Sequence, residues 1–210
     1  MFSSLCKQII KDDKKTLKLH NKKFEYYDSP LFSKETQAVP IIAVSLNKIG
    51  ADCIFPEFPY KSKGASQRFI DLYFCYKKEE YFMEAKHGWY CLTEGTNQDL
   101  HSAVKMSFEK MLNQMKENKE EYKDREYIHF GFMPIVCYTA QSKSKGNFEI
   151  NDILQEFYDL IDKRSGIQML GFNYEMKNDV IESRKKDEDK PNIVYQIIFL
   201  GLFQSKKALT

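Results

Sequence analysis

Apolar positions along this chain follow two periods, and each stretch predicts an element. From Ser33 to Ile49, Val39, Ile42, Ala43, Leu46 and Ile49 recur at helical spacing, and Gly50 suits the position just past a helix end. Pro40 is awkward in mid-helix, which predicts a helix start close to it. Cys53 to Tyr60 reads as a short strand, irregular or at an edge because of Pro56 and Pro59. Phe69 to Tyr76 and Tyr81 to Tyr90 read as a hairpin around Lys77, Lys78, Glu79 and Glu80. A long amphipathic helix follows from about Asn97 to Lys123, with Leu100, Val104, Phe108, Met111 and Met115 on one stripe. Ile128 to Tyr138 is a near-continuous apolar run, as in a strand covered on both faces, although Pro134 argues against a central position.

The rest of the chain continues the alternation. Ile150, Ile153, Leu154, Phe157, Leu160 and Ile161 form a second helical stripe, Leu170 to Met176 alternates as a half-exposed strand, and Ile193 to Phe203 is a buried strand. Gln141 to Asn147 and Arg184 to Lys190 are polar connections. The order predicted is helix, three strands, helix, strand, helix, strand, strand. It implies a single α/β domain, a mixed β-sheet flanked by helices, over residues 33–210. Residues 1–32 are lysine-rich and weakly patterned. Leu5, Ile9 and Ile10 suit a short helix, and Asp12 to Lys23 reads as a solvated arm.

Composition narrows the class. Of 210 residues, 42% are hydrophobic, enough for a sizeable core. Thirty-two basic against 30 acidic residues give a net charge of +2, which excludes a polycation but not a local phosphate-binding patch. The 5 cysteines are scattered with no CxxC, so neither a zinc ribbon nor a thioredoxin-like motif is supported. The 4 histidines form no metal-spaced pair. No apolar stretch is long enough for a secretory signal or a membrane span, and the expected compartment is a reducing cytoplasm.

Three charges stand where charge is costly. Asp71 lies within Phe69-Ile70-Asp71-Leu72-Tyr73-Phe74, and Glu84 and Lys86 lie within Tyr81-Phe82-Met83-Glu84-Ala85-Lys86. Strand alternation puts Glu84 and Lys86 on one face, opposite Met83 and Ala85. A hairpin pairing residue 77 with 80 sets Asp71 across from Lys86 and Tyr73 across from Glu84. Ile70, Leu72 and Phe74 then share the apolar reverse face. Two carboxylates suit Mg²⁺ or Mn²⁺, and a neighbouring lysine suits support of an attacking water, which is chemistry for phosphodiester hydrolysis.

With Asp71 and then Glu84-Ala85-Lys86 on successive strands of a hairpin, residues 33–138 resemble the PD-(D/E)XK nucleases, the restriction-endonuclease-like superfamily. Ile70 stands where the motif has proline. The resemblance implies a Mg²⁺-dependent nuclease, with DNA the favoured substrate and a homodimer a common arrangement. It assigns metal binding to Asp71, Glu84 and the Ala85 carbonyl, and water activation to Lys86. Glu57 fits an upstream acid, and Gln98 or Gln114 fits a glutamine on the following helix.

Bland readings stand beside these. Asp71, Glu84 and Lys86 also fit a salt-bridge cluster on a solvated sheet face, and Glu57 also fits an exposed edge glutamate. Lys61, Lys63 and Arg68 suit phosphate contact or plain solvation. Tyr73 suits base stacking, water ordering or core packing. A nuclease fold retained only for nucleic-acid or protein binding is the rival from another functional class.

Overall fold

The two hydrophobic periods resolve into helices on both faces of one sheet in a computed structural model, which describes residues 1–23, 35–60, 68–93, 98–123, 126–139, 149–176, 182–183 and 192–204. The elements are α1 (Phe2–Lys23), α2 (Glu35–Lys48), β1 (Asp52–Tyr60), β2 (Arg68–Tyr76), β3 (Glu79–Ala85), β4 (Gly88–Cys91), α3 (Gln98–Glu121), β5 (Ile128–Thr139), α4 (Ile150–Tyr158), β6 (Ile167–Glu175), β7 (Glu182–Ser183) and β8 (Asn192–Gln204). Eight strands form one sheet in the order β1-β2-β3-β5-β8-β6, with β4 on β5 and β7 on β8. Pairing is antiparallel except where β3 and β4 run parallel to β5, joined to it through α3. The architecture is therefore mixed α/β, as the order of elements predicted. The polar connections 141–147 and 184–190, and the 61–67 loop, lie outside the described residues.

Alternation along the inner strands divides the core between two faces. Leu72, Phe74, Met83, Ala85, Phe130, Phe132 and Phe199 pack with Phe2, Leu5, Ile9, Ile42 and Leu46 of α1 and α2. Met133, Ile135, Ile198, Leu200 and Leu202 pack with Val104, Phe108, Met111 and Met115 of α3 and with Ile153 and Phe157 of α4. Fully burying one such side chain contributes roughly 1.5–3 kcal/mol before entropy is counted.

The N-terminal segment departs from the expectation of a short helix or solvated arm. Helix α1 runs 22 residues and shares the core with α2 and the sheet. Charged residues within its stripe hid it: Asp12 is buried, and its carboxylate takes hydrogen bonds from Gln8 and Ser45 and an ion pair from Lys48. Helix α2 begins at Glu35, ahead of Pro40, which sits inside it rather than near its start.

The hairpin register also differs. Lys77 and Lys78 have φ of 51° and 69°, the double left-handed conformation of a two-residue type I′ turn. Tyr76 therefore pairs with Glu79, and Tyr73 faces Phe82 rather than Glu84. Such a turn normally announces itself with Asn or Gly, and two lysines concealed it.

Pro134 does lie in a central strand, for a local reason. Strands β3 and β4 keep one register along β5: Ala85 lies beside Phe132 and Gly88 beside Ile135. The Lys86 N–H donates to the Phe132 carbonyl at 3.0 Å. The next bond of a parallel ladder runs from residue 134 to the Lys86 carbonyl, and proline has no N–H to give. The break between β3 and β4, at Lys86 and His87, falls at that missing bond.

Candidate functional site

The break lies at the edge of the charged cluster. Main-chain pairing of β2 with β3 reaches Leu72 opposite Met83 and goes no further. Beyond it the Asp71 carboxylate replaces the ladder, with Oδ2 accepting from the Ala85 N–H at 2.8 Å. The alternation of β2 is disturbed here. Ile70 packs with Phe82 and Tyr127, not with Leu72 and Phe74 as a regular strand requires. Lys86 Nζ stands 3.8 Å from Asp71 Oδ2 and donates to the Ala85 carbonyl at 2.8 Å.

Glu84 closes the group. It lies beside Gly131 of β5, where a Cβ would come 2.7 Å from Met115 Sδ. The missing side chain lets α3 lie close over this part of the sheet. Asn118, near the end of α3, thereby reaches Glu84, with Nδ2 donating to Oε1 at 2.7 Å. Both residues are buried, Glu84 to 2% exposure. Among the described residues Glu84 Oε2 and Asn118 Oδ1 have no hydrogen-bond partner, and neither has Gln114 Oε1 one helical turn earlier.

Such a carboxyl holds its proton tightly. Burial, and then the charge of Asp71 within hydrogen-bonding reach, push the Glu84 pKa up to about 8, against the weaker pull of Asn118 and Lys86. A solvated salt-bridge cluster does not describe this group. The side chains of Lys86 and Asp71 are only 11% and 26% exposed, and the open side of the cluster is that of Asp71.

Aromatic rings border the cluster. Tyr73, two residues along β2 from Asp71, lies 5.7 Å from the Phe82 ring and stacks on Phe58 at 5.0 Å. Its hydroxyl donates to Glu80 at 2.5 Å. Phe82 is covered in turn by Tyr122 and Tyr127 at 4.6 and 4.0 Å. His129 lies beside Phe82 on β5, and burial, followed by the charge of Lys119, lowers its pKa to about 4.

The structure therefore gathers Asp71, Glu84, Ala85 and Lys86, with Tyr73 alongside. Glu57 is exposed on β1 with φ of 50°. Lys61 and Lys63 lie outside the described residues, and the side chains of Arg68 and Gln98 are not described. Gln114 is half-buried on α3 one turn before Asn118, and its buried Oε1 has no hydrogen-bond partner among the described residues. Sequence reading missed Asn118, yet a signal was there: it continues the stripe of Phe108, Met111 and Met115 by three residues, a polar group where an apolar one is expected.

Two carboxylates beside a lysine, with an orphaned buried oxygen, can take a hard divalent cation that keeps most of its waters. Among the described residues, no group of three or more His, Cys, Asp or Glu side chains is arranged to hold a metal ion. No helix among them is long and apolar enough to cross a membrane. Comparison with protein-family models, curated proteins and solved structures gives no significant match.

Proposed function

We propose that this chain is a Mg²⁺-dependent nuclease of the PD-(D/E)XK, restriction-endonuclease-like kind, hydrolysing phosphodiester bonds with DNA favoured. The observation that carries the reading is the Glu84 carboxyl, buried within hydrogen-bonding reach of the Asp71 carboxyl, with no donor to its second oxygen among the described residues. A purely structural carboxylate comes with donors, because an uncompensated buried charge is costly. Here the compensating partner is read as a cation shared by Asp71 and Glu84. The donor set suits it, since Mg²⁺ takes one or two carboxylates and fills its remaining positions with water.

When bound, the cation supplies charge neutralisation at the phosphate and an acidified water. The protein's own groups do the rest. Asn118 fixes the rotamer of Glu84 by its 2.7 Å hydrogen bond. Lys86 swings from the Ala85 carbonyl, where it now donates, to orient the attacking water and offset charge on the phosphate. That move frees the Ala85 carbonyl as a further oxygen ligand.

The test is cleavage of linear and plasmid DNA in Mg²⁺ or Mn²⁺, with folding of each variant checked by circular dichroism. The wild type is expected to cut, and Lys86→Ala to lose about a hundredfold or more, in the range of a lost transition-state charge contact. A wild type that leaves both DNA and RNA intact in either metal overturns the reading, as does a Lys86→Ala variant of undiminished rate.

A second reading has its own support. Two carboxylates without a third acidic ligand among the described residues also suit a binding module of the same fold without catalysis. It predicts nucleic-acid or protein binding with no cleavage in the same assay.

A further inference from the structure

We propose that Phe55, Phe58 and Tyr73 form a stacking shelf that receives an unpaired nucleobase of the strand being cut. The proposal rests on the nuclease reading for its substrate, and on four observations for its geometry.

The rings form one row across the sheet. Phe55 pairs with Tyr73 and Tyr73 with Phe82, at ring separations of 6.0 and 5.7 Å. Tyr73 and Phe82 each stand two residues along their strand from Asp71 and Glu84. The ring row is therefore roughly 7 Å from the acidic pair, one side-chain repeat away.

The row is closed at its inner end and open at its outer end. Phe82 is buried beneath Tyr122 and Tyr127, whereas Phe55 is 53% exposed. Helix α3 packs on β3, β4 and β5, further inward.

The backbone is distorted in a way that adds a ring. Residues 55 and 58 leave opposite faces of a regular strand. Here both rings lie beside that of Tyr73, with Phe58 stacked on it at an interplanar angle of 30°. Glu57, between them, adopts φ of 50°, a left-handed conformation that is costly for glutamate and that turns the strand over. Strain of this kind gathers at binding and active sites.

The shelf is also held in place without a ligand. The Tyr73 hydroxyl donates to Glu80 at 2.5 Å and lies 3.3 Å from Cys75 Sγ, which fixes the ring. A flat π-system laid against Phe55 or Phe58 extends the row by one member. The polynucleotide is the ligand class that carries such a ring beside a phosphodiester, which is the group the acidic pair is read to cut. The base must be unpaired to offer its face, so the shelf favours single strands, frayed ends or flaps over intact duplex.

The experiment is fluorescence anisotropy of a labelled oligonucleotide, single-stranded or duplex, with Ca²⁺ replacing Mg²⁺, for the wild type, Phe55→Ala and Phe55→Trp. Phe55 is exposed, so its variants are expected to fold. Loss of one stacked base is worth roughly a five- to hundredfold change in affinity. Phe55→Ala is expected to weaken single-strand binding by about tenfold and leave duplex binding unchanged, while Phe55→Trp retains it. A single abasic position scanned along the strand should reproduce the loss in the wild type and add nothing in Phe55→Ala. Unchanged single-strand affinity in Phe55→Ala overturns the shelf. Self-association that Phe55→Ala abolishes, without strand binding, makes the patch an interface between copies and also overturns it. Cleavage assays on the same proteins separate the two ideas. Phe55-dependent binding without cutting leaves the shelf standing and the nuclease reading fallen. Cutting without Phe55 dependence does the reverse.

Discussion

Asp12 and Glu84 are both buried acids, at 7% and 2% exposure, and their surroundings are opposite. Asp12 joins α1 to α2. Ser45 Oγ donates to its carboxylate at 2.9 Å, Gln8 Nε2 at 3.1 Å, and the Lys48 ammonium pairs with its other oxygen. Burial alone pushes its pKa up, but hydrogen bonds from Lys48, Gln8 and Ser45 outweigh that and hold the carboxyl below its ordinary range. Among the described residues Glu84 has one donor, Asn118, and it faces a second carboxyl, so burial and Asp71 prevail and its pKa rises to about 8. One acid is complete as folded. The other is left short of donors among the described residues, as the proposed role of cation ligand requires.

The largest effect that tests this contrast is on stability. Asp12→Ala strands the partly exposed Lys48 and removes acceptors from Ser45 and Gln8. It is expected to cost about 3 kcal/mol in urea unfolding, mostly from the acceptors lost to buried Ser45 and to Gln8. Glu84→Gln keeps an acceptor for Asn118 and removes the proton requirement, so at pH 8 its stability should equal or exceed the wild type's. Comparable losses in both variants would collapse the comparison.

The next effect is pH dependence. The Glu84 pKa is raised from 4.5 unfolded to about 8 folded, so the folded chain binds more protons in that window and stability falls as pH rises through it. His129 acts oppositely. Its folded pKa of about 4 lies below the unfolded 6.5, so its contribution is present above pH 6.5 and is lost as pH falls toward 4. The slopes oppose each other up to pH 6.5, and of the two only Glu84 acts above it. At about 1.4 kcal/mol per pH unit for one group, stability should drop by about 2 kcal/mol between pH 6.5 and 8. In Glu84→Gln the curve should be flat over that range. Mg²⁺ should restore the wild type at pH 8 and leave the variant unmoved. A wild-type curve as flat as the variant's would place Glu84 on the same footing as Asp12.

Legibility from sequence tracked how far a feature depends on its neighbours along the chain. Alternation alone was enough for the strands of Phe74 and Phe82, and the α3 stripe for its helix. Asp71, Glu84 and Lys86 stood out because charge inside an apolar strand needs a partner whatever the fold. Asn118 and Asp12 did not, because a polar residue on an otherwise apolar helical stripe reads as solvated until the opposing element is known. The register slipped because Lys77 and Lys78 take a turn conformation that their side chains do not favour. Pro134 argued against a central strand because its neighbour's break at Lys86 and His87 is a tertiary fact. Ile70 and Glu57 escaped for a related reason, since local backbone distortion defeats strict alternation.

The smallest effect lies with Asn118, the single donor that Glu84 has among the described residues. Its hydrogen bond favours the ionised carboxyl and pulls against burial and Asp71. Asn118→Ala therefore lets the Glu84 pKa climb beyond about 8, and the pH at which the stability curve levels off should move upward with it. A hydrogen bond worth about 1 kcal/mol corresponds to a shift of roughly 0.7 pH unit. The same change should weaken Mg²⁺ stabilisation at pH 8, because more of Glu84 then holds the proton that a cation must displace. Unfolding curves across pH 6.5 to 9.5, with and without Mg²⁺, read both quantities. If the plateau stays where the wild type has it, Asn118 only fills space over Gly131, and Glu84 owes its state to burial and Asp71 alone.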